Sequence, residues 1–245
     1  MHKLMTKALS GSACSSLLTG HSGSYTRFFR GCKVVVHVTS MAGNNPRSGI
    51  CKIEREEEVA RGKWLALNNY HWVDHTSRRR VWEVVSRTTR GTLEQDSVAV
   101  TAVLHKPGQP SALVLIKQFR PPLRTYTIEL PAGLVDAGET ADIAALRELK
   151  EETGFSGVIT GIGRSVALDP GISNSLMKIV TVKIDGESAE NKDVASVCGV
   201  DGEHIEVLLV PLSCIQDYLT DFAAKGMIID SRVEALALGL SVSLC

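Results

Sequence analysis

Paired cysteines and long apolar runs are missing from this sequence of 245 residues. The six cysteines are scattered without a C-x-x-C pair, which excludes a zinc ribbon and argues against a disulfide framework in a chain of this length. No apolar stretch approaches the ~18 residues of a membrane-spanning helix. The formal net charge is zero, which does not suit a surface that binds nucleic acid or an anionic membrane. We therefore expect an intracellular globular protein with reduced thiols and with neither nucleic acid nor membrane as partner.

Acidic residues are missing from residues 1–52, which contain seven basic side chains. The rest of the chain has 20 basic and 27 acidic residues, a net charge of −7. The basic head is rich in Ser, Gly and Thr, a composition typical of a disordered tail or a targeting segment, and it resembles a mitochondrial transit peptide. A plain extension before a second start at Met41 is the other interpretation. We expect a cytoplasmic, and also nuclear, protein, with mitochondrial import as the alternative.

The pattern of the remaining chain mixes strands and helices without a regular βαβ alternation, which predicts an α+β (mixed α/β) fold. Two β arms flank a turn at 74–78, two apolar strands flank a Pro-Gly turn at 106–110, and a helix is predicted over 140–153. Further strands are predicted at 126–130, 158–166, 176–184 and 204–211, and helices at 212–225 and 231–240. We divide the chain into an extension (1–52), a small β region (53–96) and a main domain (97–245).

The most informative segment is the predicted helix that ends before Gly154. Glu148, Glu151 and Glu152 are spaced i, i+3 and i+4, so their carboxylates share one face, where like charges repel by a few tenths of a kcal/mol per pair. A hard divalent cation would satisfy such a cluster, because Mg²⁺ prefers oxygen ligands and often bridges to phosphates. A solvated acidic face is the alternative interpretation of these three residues taken alone.

The spacing around this helix is more specific than the cluster itself. Gly133, five residues, Glu139, seven residues and then the run RELKEETGF at 147–155 match every fixed position of G-x5-E-x7-R-E-U-x-E-E-x-G-U. The chain therefore resembles the Nudix hydrolases. The resemblance implies a mixed β-sheet sandwiched between helices, dependence on Mg²⁺ or Mn²⁺ with two or three ions per site, and hydrolysis of a nucleoside diphosphate linked to another moiety.

Blocks outside this motif resemble the animal ADP-sugar pyrophosphatases, also called ADP-ribose pyrophosphatases. They are GKW at 62–64, RVWEVVSRTTR at 80–90, VLIKQFRPP at 114–122, IELPAGL at 128–134, ALDPGISN at 167–174 and DGEHIEV at 201–207. Pro170 stands fifteen residues after Phe155, at about the distance associated with such members. The resemblance implies cleavage of ADP-ribose to AMP and ribose 5-phosphate by a homodimer, with the β region contributing to dimerisation and adenine binding.

Site residues follow from the same resemblance. It implies a two-subunit adenine clamp, a catalytic carboxylate cluster that also holds metal with a backbone carbonyl, diphosphate-binding arginines and a ribose-side wall. In this chain the clamp is formed by Trp64 and Trp82, with Glu83 at the adenine edge. The arginines that bind the diphosphate are Arg87 and Arg120, and the wall on the ribose side is Leu134 and Asp169. The metal is held by the carboxylates of Glu148, Glu151 and Glu152 and by the Ala132 carbonyl. Glu139 and Arg147 are expected to orient this cluster rather than to contact substrate.

The general base is expected outside this motif, because the glutamates of the motif are engaged with metal. The resemblance points to Glu203 in a loop that follows the motif, and Glu206 is the fallback.

Two other functions stay open. One is hydrolysis of other or oxidised nucleoside diphosphates, since stacking between two indoles discriminates weakly between bases. The other is a non-catalytic nucleotide-binding module, which would be expected to lack glutamates of the motif that this chain retains.

Overall fold

The structure is a computed structural model, and it describes residues 50–89, 95–192, 194 and 204–242, with the backbone alone of 24–29, 32–37, 197–198 and 243. The chain separates into two compact units, Met1–Ile50 and Cys51–Cys245. In the first unit, β1 (Ser24–Phe29) pairs antiparallel with β2 (Cys32–His37).

The second unit begins with an antiparallel three-stranded sheet of β3 (Lys52–Arg61), β4 (Leu65–Val73) and β5 (Arg79–Arg87). The β4–β5 turn is held by Asp74, whose carboxylate accepts hydrogen bonds from Thr76 and the Arg78 backbone and pairs with Arg80 at 2.6 Å. Sequence analysis placed this turn and both arms correctly.

Strand β3 was not predicted. Its sequence KIEREEEVAR is highly charged, and its residues are exposed along the whole strand. It is an edge strand stabilised by backbone pairing to β4 and by ion pairs such as Arg61–Glu58 at 2.6 Å and Arg79–Glu54 at 3.2 Å. Charged side chains are common on edge strands because they discourage pairing with another chain. Hydrophobic alternation therefore cannot detect this strand.

The main sheet is mixed, with strand order β10-β11-β6-β7-β13-β12 and with β9 attached to β6, and β8 and β14 attached beyond β7. The β6–β11 and β8–β14 pairs are parallel and the others are antiparallel. Its strands are β6 (Ser97–His105), β7 (Ala112–Arg120), β8 (Thr125–Glu129), β9 (Ala132–Leu134), β10 (Val158–Ala167), β11 (Leu176–Asp185), β12 (Val197–Cys198), β13 (Ile205–Pro211) and β14 (Ile228–Ile229).

Helices cover both faces of this sheet. On one face, α1 (Ala141–Thr153) buries Ala144, Ala145 and Leu149 against alternate residues of β6 and β11. On the other face, α2 (Ile215–Ala224), preceded by a 3₁₀ turn (Leu212–Cys214), and α3 (Ser231–Ser243) pack on the opposite set of side chains. The predicted fold class, a mixed sheet between helices with a small antiparallel region before it, is confirmed.

Strands β6 and β7 separate along their length, and this separation creates the site. They pair only at Val103–Leu113 and Leu104–Ala112. Beyond that point β6 pairs with β9 and β7 pairs with β8, so a cleft opens between the diverging strands. Among the described residues, no helix is both long and apolar enough to cross a membrane.

Candidate active site

Helix α1 brings two of the three predicted carboxylates, Glu148 and Glu152, to one end of the cleft, whereas Glu151 is exposed and does not line it. It starts after Thr140 and ends at Gly154, whose φ of 73° is the left-handed conformation that glycine adopts most easily. Gly133 lies directly beneath the Glu148 carboxylate, since a Cβ built on Gly133 would overlap that group. The first glycine of the motif is therefore needed for a close approach between β9 and α1.

Arg147 connects three of the acidic side chains. Its Nε and Nη2 bind both oxygens of Glu139 at 3.0 and 2.9 Å, and Nη2 also donates to the Leu134 carbonyl at 2.9 Å. Its Nη1 donates to Glu148 at 2.8 Å and to Glu151 at 3.2 Å. The hydrogen bonds from Arg147 lower the pKa of Glu139. The guanidinium thus reduces the repulsion within the cluster and connects the middle of α1 to β9 and to Glu139.

Glu148 and Glu152 differ in their surroundings. Glu152 is buried, and its carboxylate accepts the Ala132 backbone N–H at 2.8 Å. Burial raises the pKa of Glu148 above its usual range, against the opposing effect of Arg147. Both carboxylates line the cleft, together with Ala132.

The donor chemistry of this end of the cleft fits a hard divalent cation. Carboxylate and carbonyl oxygens are the groups that Mg²⁺ binds, and Mg²⁺ usually takes only one or two carboxylates plus water and phosphate oxygens. Within the described residues, no three His, Cys, Asp or Glu side chains form a ready-made metal cage. The residues therefore fit an ion whose coordination would be completed by substrate and water, and Glu148, Glu152 and Ala132 are the residues that would hold it at this end of the cleft.

The cleft has a volume of about 530 Å³, and arginines line it. Arg87, at the end of β5, and Arg120, at the end of β7, both line it. Arg120 also forms a two-point ion pair with Glu129 at 2.7 and 2.8 Å. Burial alone would raise the pKa of Glu129, but the hydrogen bonds from Arg120 and Thr127 hold that pKa below its usual range.

Sequence reasoning missed several lining residues. Arg232 enters the cleft from the start of α3, and Ser97, Gln118 and Met177 line it from the sheet. Arg232 is far from every motif in the sequence, and only the packing of α3 on the sheet brings it there. The sequence gives no indication that Ser97 and Gln118 line a site, since a single polar residue in an apolar strand pattern looks like an ordinary strand end.

The two predicted tryptophans lie on the three-stranded sheet and are exposed, Trp64 by 59% and Trp82 by 49%. Trp64 precedes Leu65, which pairs with Arg87, whereas Trp82 pairs with Tyr70. Trp64 therefore lies opposite Thr88, whose backbone N–H donates to the Trp64 carbonyl, and the six residues from Trp82 to Thr88 span about 20 Å at ~3.3 Å per residue. One chain therefore does not bring the two rings together around a common base.

Trp82 is held by the loop that precedes β11. Its Nε1 donates to the Gly171 carbonyl at 2.9 Å, and the Val85 backbone N–H donates to Ile172 at 2.8 Å. Trp82 and Glu83 line a groove with Gly171 and Ile172. A third tryptophan, Trp72, meets Trp82 edge-on with ring centroids 6.4 Å apart and was not singled out from the sequence.

The remaining predicted residues are placed as follows. Leu134 lines the cleft. Asp169 is exposed in the 168–174 loop, where its carbonyl accepts the Ser173 N–H at 2.8 Å, and it is not among the lining residues. Glu206 lies on β13 and pairs with Lys117 at 2.7 Å. Glu203, the predicted general base, lies outside the described residues.

Comparison with known proteins agrees with this geometry. The model of the NUDIX domain matches residues 95–224. An ADP-sugar pyrophosphatase of Mus musculus is 38% identical over 192 residues, which cover 77% of this chain and 86% of that protein. An ADP-ribose pyrophosphatase of Saccharomyces cerevisiae is 36% identical over 204 residues, 83% of this chain and 88% of the relative.

An uncharacterised Nudix hydrolase of Schizosaccharomyces pombe is 40% identical over 182 residues, 74% of this chain and 88% of that protein. A crystal structure of an ADP compounds hydrolase superposes with a TM-score of 0.57 at 24% identity, covering 82% of this chain and 96% of that one, which supports the fold. Nudix hydrolases generally use divalent metal ions. The family match over more than half the chain, the relatives and the glutamate-bearing helix together show that this chain belongs to the Nudix hydrolase family.

Proposed function

We propose that this Nudix hydrolase cleaves the pyrophosphate bond of ADP-ribose and related ADP-sugars, releasing AMP and a sugar phosphate, ribose 5-phosphate in the case of ADP-ribose. Two relatives that each cover more than three quarters of this chain are named for ADP-sugar and ADP-ribose pyrophosphatase activity. The names alone do not carry the proposal, because the arrangement of the cleft and the tryptophan groove supports it independently.

The observation that carries the proposal is the shared wall between groove and cleft. Strand β5 supplies Trp82 and Val85 to the groove and Arg87 to the cleft, while the 168–174 loop supplies Ile172 to the groove and Leu168 to the cleft. A ring that stacks on Trp82 thus lies beside a cleft lined with arginines and carboxylates. A site for a base followed by a site for a diphosphate matches the order of these groups in an ADP-linked compound.

The side chains of the cleft have distinct roles in this proposal. Arg87 and Arg120 bind the diphosphate, because a guanidinium matches phosphate oxygens in geometry and charge. Glu148, Glu151, Glu152 and the Ala132 carbonyl hold Mg²⁺, or Mn²⁺ in its place, with two or three ions per site. Such ions, when bound, neutralise charge on the phosphate oxygens and lower the pKa of a bound water. Arg147 and Glu139 orient the glutamates.

The general base in this proposal is Glu203. Glu148 and Glu152 are assigned to metal, and Glu206 is engaged with Lys117, so these three carboxylates are less suited to remove a proton from water. A base must come within hydrogen-bond reach of the attacking water. Leu134 and Asp169 are assigned to the ribose side.

A homodimer completes the proposed base site. Trp64 and Trp82 stand about 20 Å apart along the strand direction in one chain, by the ~3.3 Å rise of a strand, so a two-sided clamp needs Trp64 from a partner subunit. Exposed apolar side chains on the same small sheet, among them Val59, Leu65 and Val81, support its use as an interface. Each stacked base is worth about 1–3 kcal/mol.

Other nucleoside diphosphates, including oxidised ones, are the second candidate substrates. The Trp82 Nε1 hydrogen is donated to Gly171, so this indole offers its ring face rather than a donor to the base. Stacking tolerates many bases, because every base has a π face. Glu83, in the same groove, is the side chain that we assign to selection of adenine.

The test is a hydrolysis panel on the full-length protein with Mg²⁺. ADP-ribose, ADP-glucose and an oxidised guanosine diphosphate are compared by kcat/KM, and AMP and ribose 5-phosphate are measured as products. The highest value is expected for ADP-ribose, and chelation by EDTA should abolish turnover. A higher value for the oxidised nucleotide would replace the proposed substrate, and binding without turnover of any substrate would point to a non-catalytic module.

A further inference from the structure

Among the residues that the structure describes, Ser97 and Gln118 each leave a buried polar atom of the cleft without a protein hydrogen-bond partner. Ser97 and Gln118 are more than nine-tenths buried and line the cleft. Among the described residues, neither the Ser97 hydroxyl nor the Gln118 side-chain oxygen has a hydrogen-bond partner. Buried polar atoms are almost always paired, and an unpaired one in a cleft is a position where a ligand could provide the missing bond.

Ser97 belongs to a compact group with Met177 and Arg232. In the parallel pairing of β6 and β11, Ser97 is the direct partner of Met177. The Arg232 Nη1 donates to the Met177 sulfur at 3.0 Å. Hydroxyl, thioether and guanidinium therefore lie together in the cleft, and we call these three residues the distal subsite.

Arg232 is held rigidly for binding. Its Nε and Nη2 bind both oxygens of Asp230 at 2.7 Å each, and Asp230 also accepts the Arg232 backbone N–H at 2.8 Å. A thioether is a weak acceptor, so the Met177 contact leaves much of the donor capacity of Nη1 unused. The ion pair with Asp230 fixes the guanidinium plane, while 20% of the Arg232 side chain stays accessible.

The composition of the cleft indicates which part of a ligand fits here. Among its described lining residues there is no aromatic side chain, so a base would find nothing to stack on. A serine hydroxyl complements a sugar hydroxyl, and a guanidinium complements a phosphate or hydroxyl oxygen.

We propose that Ser97 and Arg232 bind the sugar phosphate half of the substrate and thereby select ADP compounds that carry a hydroxylated sugar. This inference rests on the proposed function, because it assigns the half of an ADP-sugar that leaves as sugar phosphate. Ser97 and Arg232 are then specificity-determining residues, and Gln118 is a neighbouring polar group of the same cleft.

The first test is Ser97→Ala, with binding of the two products measured separately by calorimetry in Mg²⁺. Ribose 5-phosphate should bind about tenfold more weakly, because the variant lacks one hydrogen bond to the sugar. AMP should bind as to the wild type. The melting temperature should stay equal or rise, since the replaced hydroxyl has no protein partner in the described residues. A fall in melting temperature with unchanged binding would instead indicate a structural role and would overturn the proposal.

The second test is Arg232→Lys, which keeps the charge but loses the two-point geometry. It should also weaken ribose 5-phosphate binding without changing the affinity for AMP, and Arg164→Lys, at an exposed position of β10, is the matched control. Equal weakening of both products, or of neither, overturns the distal subsite. Hydrolysis of ADP-ribose by wild type separates the two proposals. If the wild type hydrolyses ADP-ribose but neither variant weakens ribose 5-phosphate binding selectively, the distal subsite alone is refuted. If the wild type does not hydrolyse ADP-ribose, the proposed function is refuted.

Discussion

Arg147 shows how one residue makes an acidic helix face possible within the fold. The resemblance implies that Arg147 orients the glutamates, and in the structure its guanidinium contacts Glu139, Glu148 and Glu151. Glu152 is satisfied differently, through the Ala132 N–H. The carboxylates are therefore arranged by protein contacts, and the two that line the cleft differ in burial and in hydrogen bonding.

Glu152→Gln tests the metal assignment. The amide keeps an oxygen acceptor for the Ala132 N–H but loses the charge, so Mg²⁺-dependent AMP release should fall by at least about 100-fold. The melting temperature should change little. Glu190→Gln, at an exposed position, is the control, and full turnover by Glu152→Gln would refute the site assignment.

Gly133→Ala tests the close contact between β9 and α1. The added methyl group would overlap the Glu148 carboxylate and should displace it, lowering activity and costing about 1–3 kcal/mol of unfolding free energy. Gly239→Ala is the matched control, because nothing lies within 4 Å of its Cβ position in α3. That change should stabilise by about 0.5–1 kcal/mol. Chemical denaturation and AMP release measure both effects, and an active, stable Gly133→Ala protein would contradict the argument.

At the scale of elements, sequence analysis succeeded where local chemistry decides the structure. Helix α1 begins within a residue of its predicted start and ends at its predicted last residue, since a glycine in the left-handed conformation, here Gly154, is a local stop signal. It failed at β3, where pairing to β4 stabilises a strand of charged residues. It also missed Arg232, because a contact with Met177, 55 residues earlier in the chain, depends on how α3 packs on the sheet. The motif predicted the carboxylate end of the cleft, but long-range packing determined the rest.

Asp74→Asn tests the β4–β5 turn through its pH dependence. Hydrogen bonds from Thr76 and then Arg80 lower the pKa of Asp74 well below its usual range. The stabilisation is therefore complete above the unfolded-state pKa of about 4 and is lost as the pH falls through the lower folded-state value.

The variant should melt at a lower temperature than wild type at pH 7, because the charge facing Arg80 is gone. This difference should shrink below about pH 4, where wild-type Asp74 begins to lose its advantage. Glu187→Gln, an exposed change, should show no such convergence. A difference in melting temperature that is constant from pH 7 to pH 2 would contradict the assignment of the turn.

For the whole molecule, the net charge of zero is the sum of a basic segment and an acidic remainder. Residues 1–52 carry only basic charge, and the rest of the chain is acidic, including the glutamates of α1. The anionic portion is expected to bind an anionic substrate through divalent cations and arginines. We propose a cytoplasmic and nuclear location, with mitochondrial import as the alternative, and a reporter fused to residues 1–45 distinguishes them by imaging.

Subunit mixing tests the two-chain base clamp. Trp64→Ala and Trp82→Ala should each lose most turnover at low ADP-ribose concentration, because each removes one stacking face. Coexpressed in equal amounts, they should regain about a quarter of wild-type activity, since half of the dimers are mixed and each has one intact site. No recovery in mixed dimers isolated with two affinity tags would contradict a clamp shared between subunits.

The hydrogen bonds that join β5 to the 168–174 loop have a consequence for the size of ligand that fits. The Val85 backbone N–H donates to the Ile172 carbonyl and the Trp82 indole N–H donates to the Gly171 carbonyl, so these two bonds hold the Trp82 ring in one position beside the cleft. A compound whose reactive bond is too near its base, or too far from it, would stack without reaching the glutamates. The protein would then select its ligand by length as well as by chemistry.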